Sequence, residues 1–292
     1  MNRREFLTTA TAAGLGTACL KSSAFGSVLA LPGRDLAGQQ PKVQATDTVV
    51  LGKTGIKTSR LAMGTGTFGS GGGSNQTRMG QLVQLLVSGY DSGLIFFDTG
   101  DSYGSHPEVA AALKQVGRSK AVVMTKCDDR DPQEAKASID RYLRELGTDY
   151  IDICLMHCLT EGDWTTRYRG VMDVFEQAKE QGKIRAHGVS CHSIEALRAA
   201  AKSPWVEVDL VRLNPVGAHM DAEPETVISV VKEMKAQGKG IIGMKILGQG
   251  AMRTRQDEAI RFALDSGVLD AFTIGAENRS EQQDLIRRVA AA

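Results

Sequence analysis

The chain has 292 residues, 42% hydrophobic and 24% charged, an ordinary globular composition. Its net charge is +1, and the first 44 residues hold five Lys/Arg against two Asp/Glu, so the remainder carries a net −2. A near-neutral body gives no electrostatic footprint for nucleic acid, and five cysteines without a CxxC pair exclude the disulfide framework of a small secreted domain.

The N-terminus opens with Arg3-Arg4, then Glu5-Phe6-Leu7, then an uncharged and mildly apolar stretch to Leu20, too short to span a bilayer comfortably. That order of features matches a twin-arginine signal segment, read over residues 1–30, with cleavage after Ala30 or nearer Gly38, or with the segment kept as an anchor. The expected partner is the twin-arginine translocation machinery. The expected location is the periplasm or the outer face of the cytoplasmic membrane. Residues 31–46 read as a linker and 47–292 as the folded domain.

Val49–Leu51 and Ile56–Arg60 flank Gly52-Lys53-Thr54-Gly55, the pattern of an N-terminal β-hairpin lid. Thereafter strand and helix patterns alternate. Strands read as Leu61–Gly64, Ile95–Asp98, Ala121–Thr125, Ile151–Met156, Ala186–Val189, Val208–Leu213, Ile241–Ile246 and Phe272–Ile274. The helices that follow them read as Gln76–Ser92, a helix from Glu108, Pro132–Leu146 capped by Asp131, Arg169–Gln181, Ile194–Ala201 capped by Ser193, Glu225–Gln237, Asp257–Asp265, and Glu281–Val289 capped by Ser280. Strands that each lead into a helix imply parallel pairing with right-handed crossovers, and eight such units in about 250 residues fit a (β/α)8 TIM barrel, α/β in class. A doubly wound sheet is the competing fold. Gly64-Thr65-Gly66-Thr67-Phe68-Gly69 has GxGxxG spacing, but it runs on through Ser70–Asn75 instead of opening a helix, and reads as a flexible loop.

In such a barrel, function collects at the C-terminal ends of the strands. There the sequence places Asp98 and Tyr103 after the second strand, Lys126 at the third and His157 at the fourth. An ordinary tyrosine titrates near pKa ~10, too high to exchange protons freely at neutral pH, and an adjacent ammonium lowers that value. Asp98 is expected to hold Lys126 charged and aimed at the Tyr103 oxygen, with His157 hydrogen-bonded to the substrate oxygen. The set is a tuned acid/base beside a carbonyl. Each residue alone has a structural reading: a cap, a packed ion pair, a satisfied semi-buried histidine. Their convergence on one mouth points to chemistry, and neither a GxSxG elbow nor an HExxH competes with it.

The runs FDTGDSYG, MTK and LMH, in this order, resemble the tetrad of the aldo/keto reductase family, and the resemblance extends from Val49 to about Ile286. LGKTGIKTSRLAMGTG is similar to the family's opening, and GVSCHS to its Gly-x-Ser-Asn element. The resemblance implies hydride transfer between NADP(H) and a small-molecule carbonyl or alcohol, with Tyr103 as proton donor. It also implies Ser190 and Asn214 at the nicotinamide carboxamide, and Gly64 and Thr65 near the nicotinamide ribose. Lys245, Leu247, Gly248 and Gly250 would lie around the pyrophosphate, and Gly275 and Asn278 at the adenosine end. Cys191 stands where the family has Asn, Leu285-Ile286 where it has Glu-Asn, and Arg279 is displaced from the usual basic position, so NAD(H) stands open beside NADP(H). Two alternatives remain at this point: non-reductive acid/base chemistry on a sugar-like substrate, and a non-catalytic cofactor-sensing barrel.

Cys127, Cys158 and Cys191 each follow a mouth residue by one position, with His106 and His192 near this face, a pattern open to a soft-metal site. Successive strand residues point to opposite sides, so the expectation is that these thiols face the strand–helix layer, with no metal. Trp164 reads equally as a wall for the substrate or as a cover over the barrel edge.

Overall fold

The computed structural model describes residues 42–292. The segment 1–30 and residues 31–41 of the 31–46 linker lie outside the described residues. The described chain begins with a hairpin, β1 (Thr48–Val50) paired antiparallel with β2 (Lys57–Ser59). The elements then run β3 (Leu61–Gly64), α1 (Asn75–Arg78), α2 (Leu82–Asp91), β4 (Phe96–Asp98), α3 (His106–Val116), β5 (Val122–Cys127), α4 (Pro132–Leu146) and β6 (Ile151–Leu159). They continue α5 (Trp164–Arg167), α6 (Arg169–Glu180), β7 (Ile184–Cys191), α7 (Ile194–Lys202), β8 (Val208–Arg212), α8 (Pro224–Ala236), β9 (Gly240–Met244), α9 (Gln256–Asp265), β10 (Ala271–Ile274) and α10 (Arg279–Ala291). Strands β3 to β10 close in sequence order, with β10 pairing back onto β3, into a parallel barrel wrapped by the helices. This is the (β/α)8 architecture.

Alternation along the strands builds two cores. Phe96, Val122, Met124, Ile153, Leu155 and Val208 point inward and fill the barrel. Their chain neighbours Phe97, Val123, Cys154 and Met156 point outward, into the layer between strands and helices. Burying each large side chain contributes roughly 1.5–3 kcal/mol. The same period of two carries Asp98, Lys126 and His157 to the inner face at the strand ends.

The hairpin sits at the opposite end from those residues. Leu51 and Ile56 join the inner core, and Lys53 N–H donates to Gly238 O at 2.8 Å, just ahead of β9. It stoppers the N-terminal end of the barrel and leaves the mouth uncovered.

Helix ends follow local chemistry. Asp131 caps α4 by accepting from Gln133 N and Glu134 N, and Ser193 caps α7 by accepting from Ala196 N. Buried Lys239 donates to Ala200 O, Ala201 O and Ser203 O, satisfying the last carbonyls of α7. The Gln76–Ser92 pattern is two helices, because Gly80 takes φ 66° and ends the first. The last helix starts earlier than Ser280 suggests: Asn278 caps it, accepting from Glu281 N at 2.9 Å.

Candidate active site

Asp98 ends β4 with both carboxylate oxygens engaged. Oδ1 accepts from Lys126 Nζ, and Oδ2 accepts from Thr273 Oγ1 of β10 at 2.7 Å. Lys126 also donates to Thr99 O at 2.6 Å and is 1% exposed. Its ammonium lies 4.7 Å from the centre of the Tyr103 ring. The His157 ring stands edge-on to Tyr103 at 5.8 Å between centres. The four residues expected at the mouth are therefore neighbours, drawn from three adjacent strands and one turn.

Tyr103 ends a short 3-10 turn, Asp101–Tyr103, closed by Gly104 at φ 65°. Two features hold that turn. Arg141 of α4 grips Asp101 through two hydrogen bonds of 2.8 Å, and Tyr142 Oη donates to the same carboxylate at 2.9 Å. Arg141 also donates to Glu145, which pairs with His106 at 2.7 Å, and the other nitrogen of His106 meets Thr125 of β5 at 2.8 Å. The second feature is the glycine run after β3. A Cβ on Gly66 or Gly69 would come within 2.3 or 2.5 Å of Tyr103 ring carbons, so only glycine lets the ring lie there. The run expected to be a flexible loop is the seat of the tyrosine.

The electrostatics differ from the simplest expectation. Burial pushes the Tyr103 phenol up to about 12, against the opposing pull of Lys126. Burial works against charge on Lys126, yet Asp98 and Tyr103 outweigh it and hold the amine above its ordinary value. Tyr103 thus stands protonated at neutral pH, with a cation placed to stabilise the phenolate as it forms.

A cavity of about 680 Å³ opens beside Tyr103 and Asp98, within the usual range of small-molecule sites. Of the residues expected to hold a cofactor, Gly64, Lys245, Leu247, Gly250 and Gly275 line it. The others do not line it. Thr65 is buried and bonds Asp98 O and Ser105. Ser190 is buried and accepts from Cys158 N at 3.3 Å. Asn214 spends its amide on its own loop and on the loop after β9, donating to Ala218 O and Lys245 O and accepting from Ala218 N. Gly248 packs under Ala218, and Asn278 caps α10. Phe68, Met244, Arg253 and Gln256 also line the cavity. Their common signal was position on or at the edges of the loops after β3 and β9, together with inward alternation for Met244.

The cavity suits a dinucleotide with a diphosphate. A Cβ on Gly64 or Gly275 would strike neighbouring atoms at 2.9 or 2.5 Å, so backbone forms a close wall there. Lys245 and Arg253 line the cavity without a carboxylate partner among the described residues, and the one lining carboxylate, Asp98, is taken by Lys126. Non-glycine residues with positive φ gather on the same loops: Phe68 at 51°, Lys245 at 57° and Gln249 at 54°, conformations costly for such side chains.

Cys127 and Cys191 are buried in the strand–helix layer, as alternation requires. Cys158 is not: a bulge between Met156 and Leu159 gives it φ 53° and brings its Sγ to 3.6 Å from His192 Nε2. Among the described residues no three of His, Cys, Asp or Glu gather as a metal ion requires. Trp164 is fully buried, donates to Ala196 O at 3.2 Å and packs against Trp205; it covers the barrel edge and is no substrate wall.

Comparison with known proteins agrees with this geometry. Residues 60–287 match the model of the aldo/keto reductase family. L-galactose dehydrogenase of Arabidopsis thaliana is 27% identical over 214 residues, covering 69% of this chain and 66% of that protein. NADH-specific methylglyoxal reductase of Escherichia coli K12 is 27% identical over 188 residues, covering 56% of this chain and 57% of that protein. The chain thus spans less than two thirds of the length of each of these relatives. The holo form of an aldo-keto reductase from Bacillus halodurans superimposes with a TM-score of 0.68 at 18% identity, covering 84% of this chain and 91% of that one, a likeness of fold.

Proposed function

Because the chain belongs to the aldo/keto reductase family, we propose that it transfers a hydride between NADP(H), or NAD(H), and a small-molecule carbonyl or alcohol, with Tyr103 as the general acid. The observation that carries this reading is the buried Lys126 ammonium, held by Asp98 beneath the Tyr103 ring at the wall of a dinucleotide-sized cavity. Gly64, Lys245, Leu247, Gly250 and Gly275 are the residues to hold the cofactor, which supplies or accepts the hydride when bound. NAD(H) stands beside NADP(H) because one of the relatives bears the name NADH-specific.

This chain's own residues then manage the proton. In reduction Tyr103 gives its hydroxyl proton to the substrate oxygen as negative charge develops there. Lys126 stabilises the phenolate left behind, and Asp98 and Thr99 O keep that ammonium aimed. In oxidation the same phenolate takes the proton back. His157 lies across the Tyr103 ring and orients the substrate oxygen.

Nicotinamide absorbance followed with NADPH or NADH against aldehydes and ketones tests the assignment. Oxidation that disappears in Tyr103→Phe while nucleotide binding survives supports it. Nucleotide binding without oxidation across the whole panel favours a sensing barrel, and no binding favours other chemistry. We also propose export through the twin-arginine machinery, on the strength of Arg3-Arg4 and the weak apolar stretch behind them. Replacing both arginines by lysine should keep the chain in the cytoplasm; unchanged export would refute it.

A further inference from the structure

Strand β6 is bulged where it carries His157. Against β7, Met156 pairs with Val189 and Leu159 with Cys191, so His157 and Cys158 together face the single residue Ser190. Against β5, pairing ends at Cys127 and Met156. Cys158 takes φ 53°, a conformation costly for a residue with a side chain. Side chains take up the backbone groups that the bulge releases. Cys158 N donates to Ser190 Oγ at 3.3 Å, and His157 O accepts from Arg130 Nη2.

Arg130 belongs to the loop after β5, and each of its hydrogen bonds goes to a main-chain carbonyl. Nη1 donates to Asp128 O at 2.9 Å and to Asp129 O at 3.2 Å, while Nη2 crosses to His157 O. The guanidinium rests 5.3 Å from the centre of the Tyr168 ring. One side chain thus ties the loop to the bulge. The imidazole that the bulge carries meets Asp128 of the same loop, Nδ1 to Oδ1 at 2.7 Å, and stands edge-on to Tyr103 at 5.8 Å between ring centres. We propose that Arg130 is a positioning residue that clamps this bulge, so that the place of His157 beside Tyr103 depends on a side chain and not on the barrel ladder. A planar fork with several donors serves carbonyls on both segments at once, and a lysine ammonium copies only part of that.

The consequence for turnover rests on the reading above, in which His157 orients the substrate oxygen. Without Arg130, His157 O loses its donor. The strained residue Cys158 is then free to relax toward regular strand, which carries the imidazole off the Tyr103 ring. Arg130 does not line the cavity, and the residues to hold the cofactor come from other elements, so nucleotide binding should stay as it is.

The test is carbon NMR of the full chain labelled with 13C in its five histidine rings, without nucleotide, with His157 assigned by its loss in His157→Gln. The quantity read is the nuclear Overhauser effect between the ring protons of His157 and Tyr103, the latter assigned in Tyr103→Phe. Arg130→Met should abolish it and leave the signals of His106 and His187 in place. Arg130→Lys should restore part of it. Should the methionine variant fail to fold, Arg130→Gln, too short to span both segments, gives the same reading. In turnover, Arg130→Met should cost roughly 10–100-fold in kcat with nucleotide Kd unchanged, and Arg130→Lys should recover part of the loss. A ring contact that persists in both Arg130→Met and Arg130→Gln overturns the proposal, as does one that Arg130→Lys restores no better than Arg130→Met. The contact is read without nucleotide or substrate, so it judges Arg130 even if the chain oxidises no nicotinamide, a result that would sink the reductase reading alone.

Discussion

Lys126→Met removes one partner of a buried ion pair and leaves the other. The side chains of Lys126 and Asp98 are 1% and 7% exposed, so solvent screens the pair little. In the variant, Asp98 keeps only the Thr273 hydroxyl, at 2.7 Å, against a negative charge in the wall of the barrel. Breaking a buried pair from one side costs roughly 3–5 kcal/mol. For a domain of this size that lowers Tm by roughly 10 °C. Adding Asp98→Asn removes the orphan charge, and the new amide oxygen still accepts from Thr273. The double variant should then lose only about 1 kcal/mol, for the Thr99 carbonyl that no longer meets Lys126. Activity should not follow stability. Without the ammonium nothing opposes the burial that already lifts Tyr103 to about 12, so both variants should be inactive. Thermal unfolding by circular dichroism beside nicotinamide oxidation reads both quantities. A single variant as stable as the parent, or a double variant as unstable as the single, would refute the reasoning.

Three further perturbations test separate parts of the account. Gly66→Ala sets a Cβ 2.3 Å from a Tyr103 ring carbon, so the ring must shift, and turnover should fall roughly 100-fold with nucleotide affinity little changed; parent-like turnover contradicts the tight seat. Arg141→Met frees the turn that carries Tyr103. Since Arg141 is 39% exposed, stability should fall by about 1 kcal/mol or less, while turnover drops and Arg141→Lys recovers part of it. Asp209 of β8 is fully buried with neither oxygen bonded, and burial beside Asp221 raises it to about 8 from the ordinary 3.8. Its folded-state value lies above its unfolded one, so its contribution is present in full below 3.8 and is lost as pH rises to about 8, at up to roughly 1.4 kcal/mol per pH unit. Asp209→Asn should flatten that decline in melts taken across the range; an unchanged slope refutes the assignment.

What the sequence made legible was periodic or local. Strand alternation put Asp98, Lys126 and His157 on the inner face, because side-chain direction in a strand follows from parity alone. Asp131 and Ser193 were readable as caps because a cap acts within three residues. The same rule was available for α10, where Asn278 and Glu281 have capping-box spacing, and reading Ser280 as the cap passed over it. Cys158 escaped the parity argument because a bulge resets parity, and a bulge leaves no mark in the pattern of apolar residues. The supports of the site were hidden for another reason: they are distant in the chain. Arg141 reaches Asp101 across 40 residues, from the helix of the next unit, and Thr273 reaches Asp98 across 175, a pairing that barrel closure creates. Burial was the last missing quantity. A neighbouring lysine is visible in sequence, but the desolvation that overrides its pull on Tyr103 is not.

Deuterium transfer tests the central claim most directly. With NADPH or NADH deuterated at the reactive C4 position and an aldehyde that the chain consumes, mass spectrometry of the alcohol reads where the label goes. The account predicts one deuterium on the former carbonyl carbon, formed by the parent chain and abolished in Tyr103→Phe with nucleotide still bound. Alcohol formed without label, or formed as fast by Tyr103→Phe as by the parent, would contradict it.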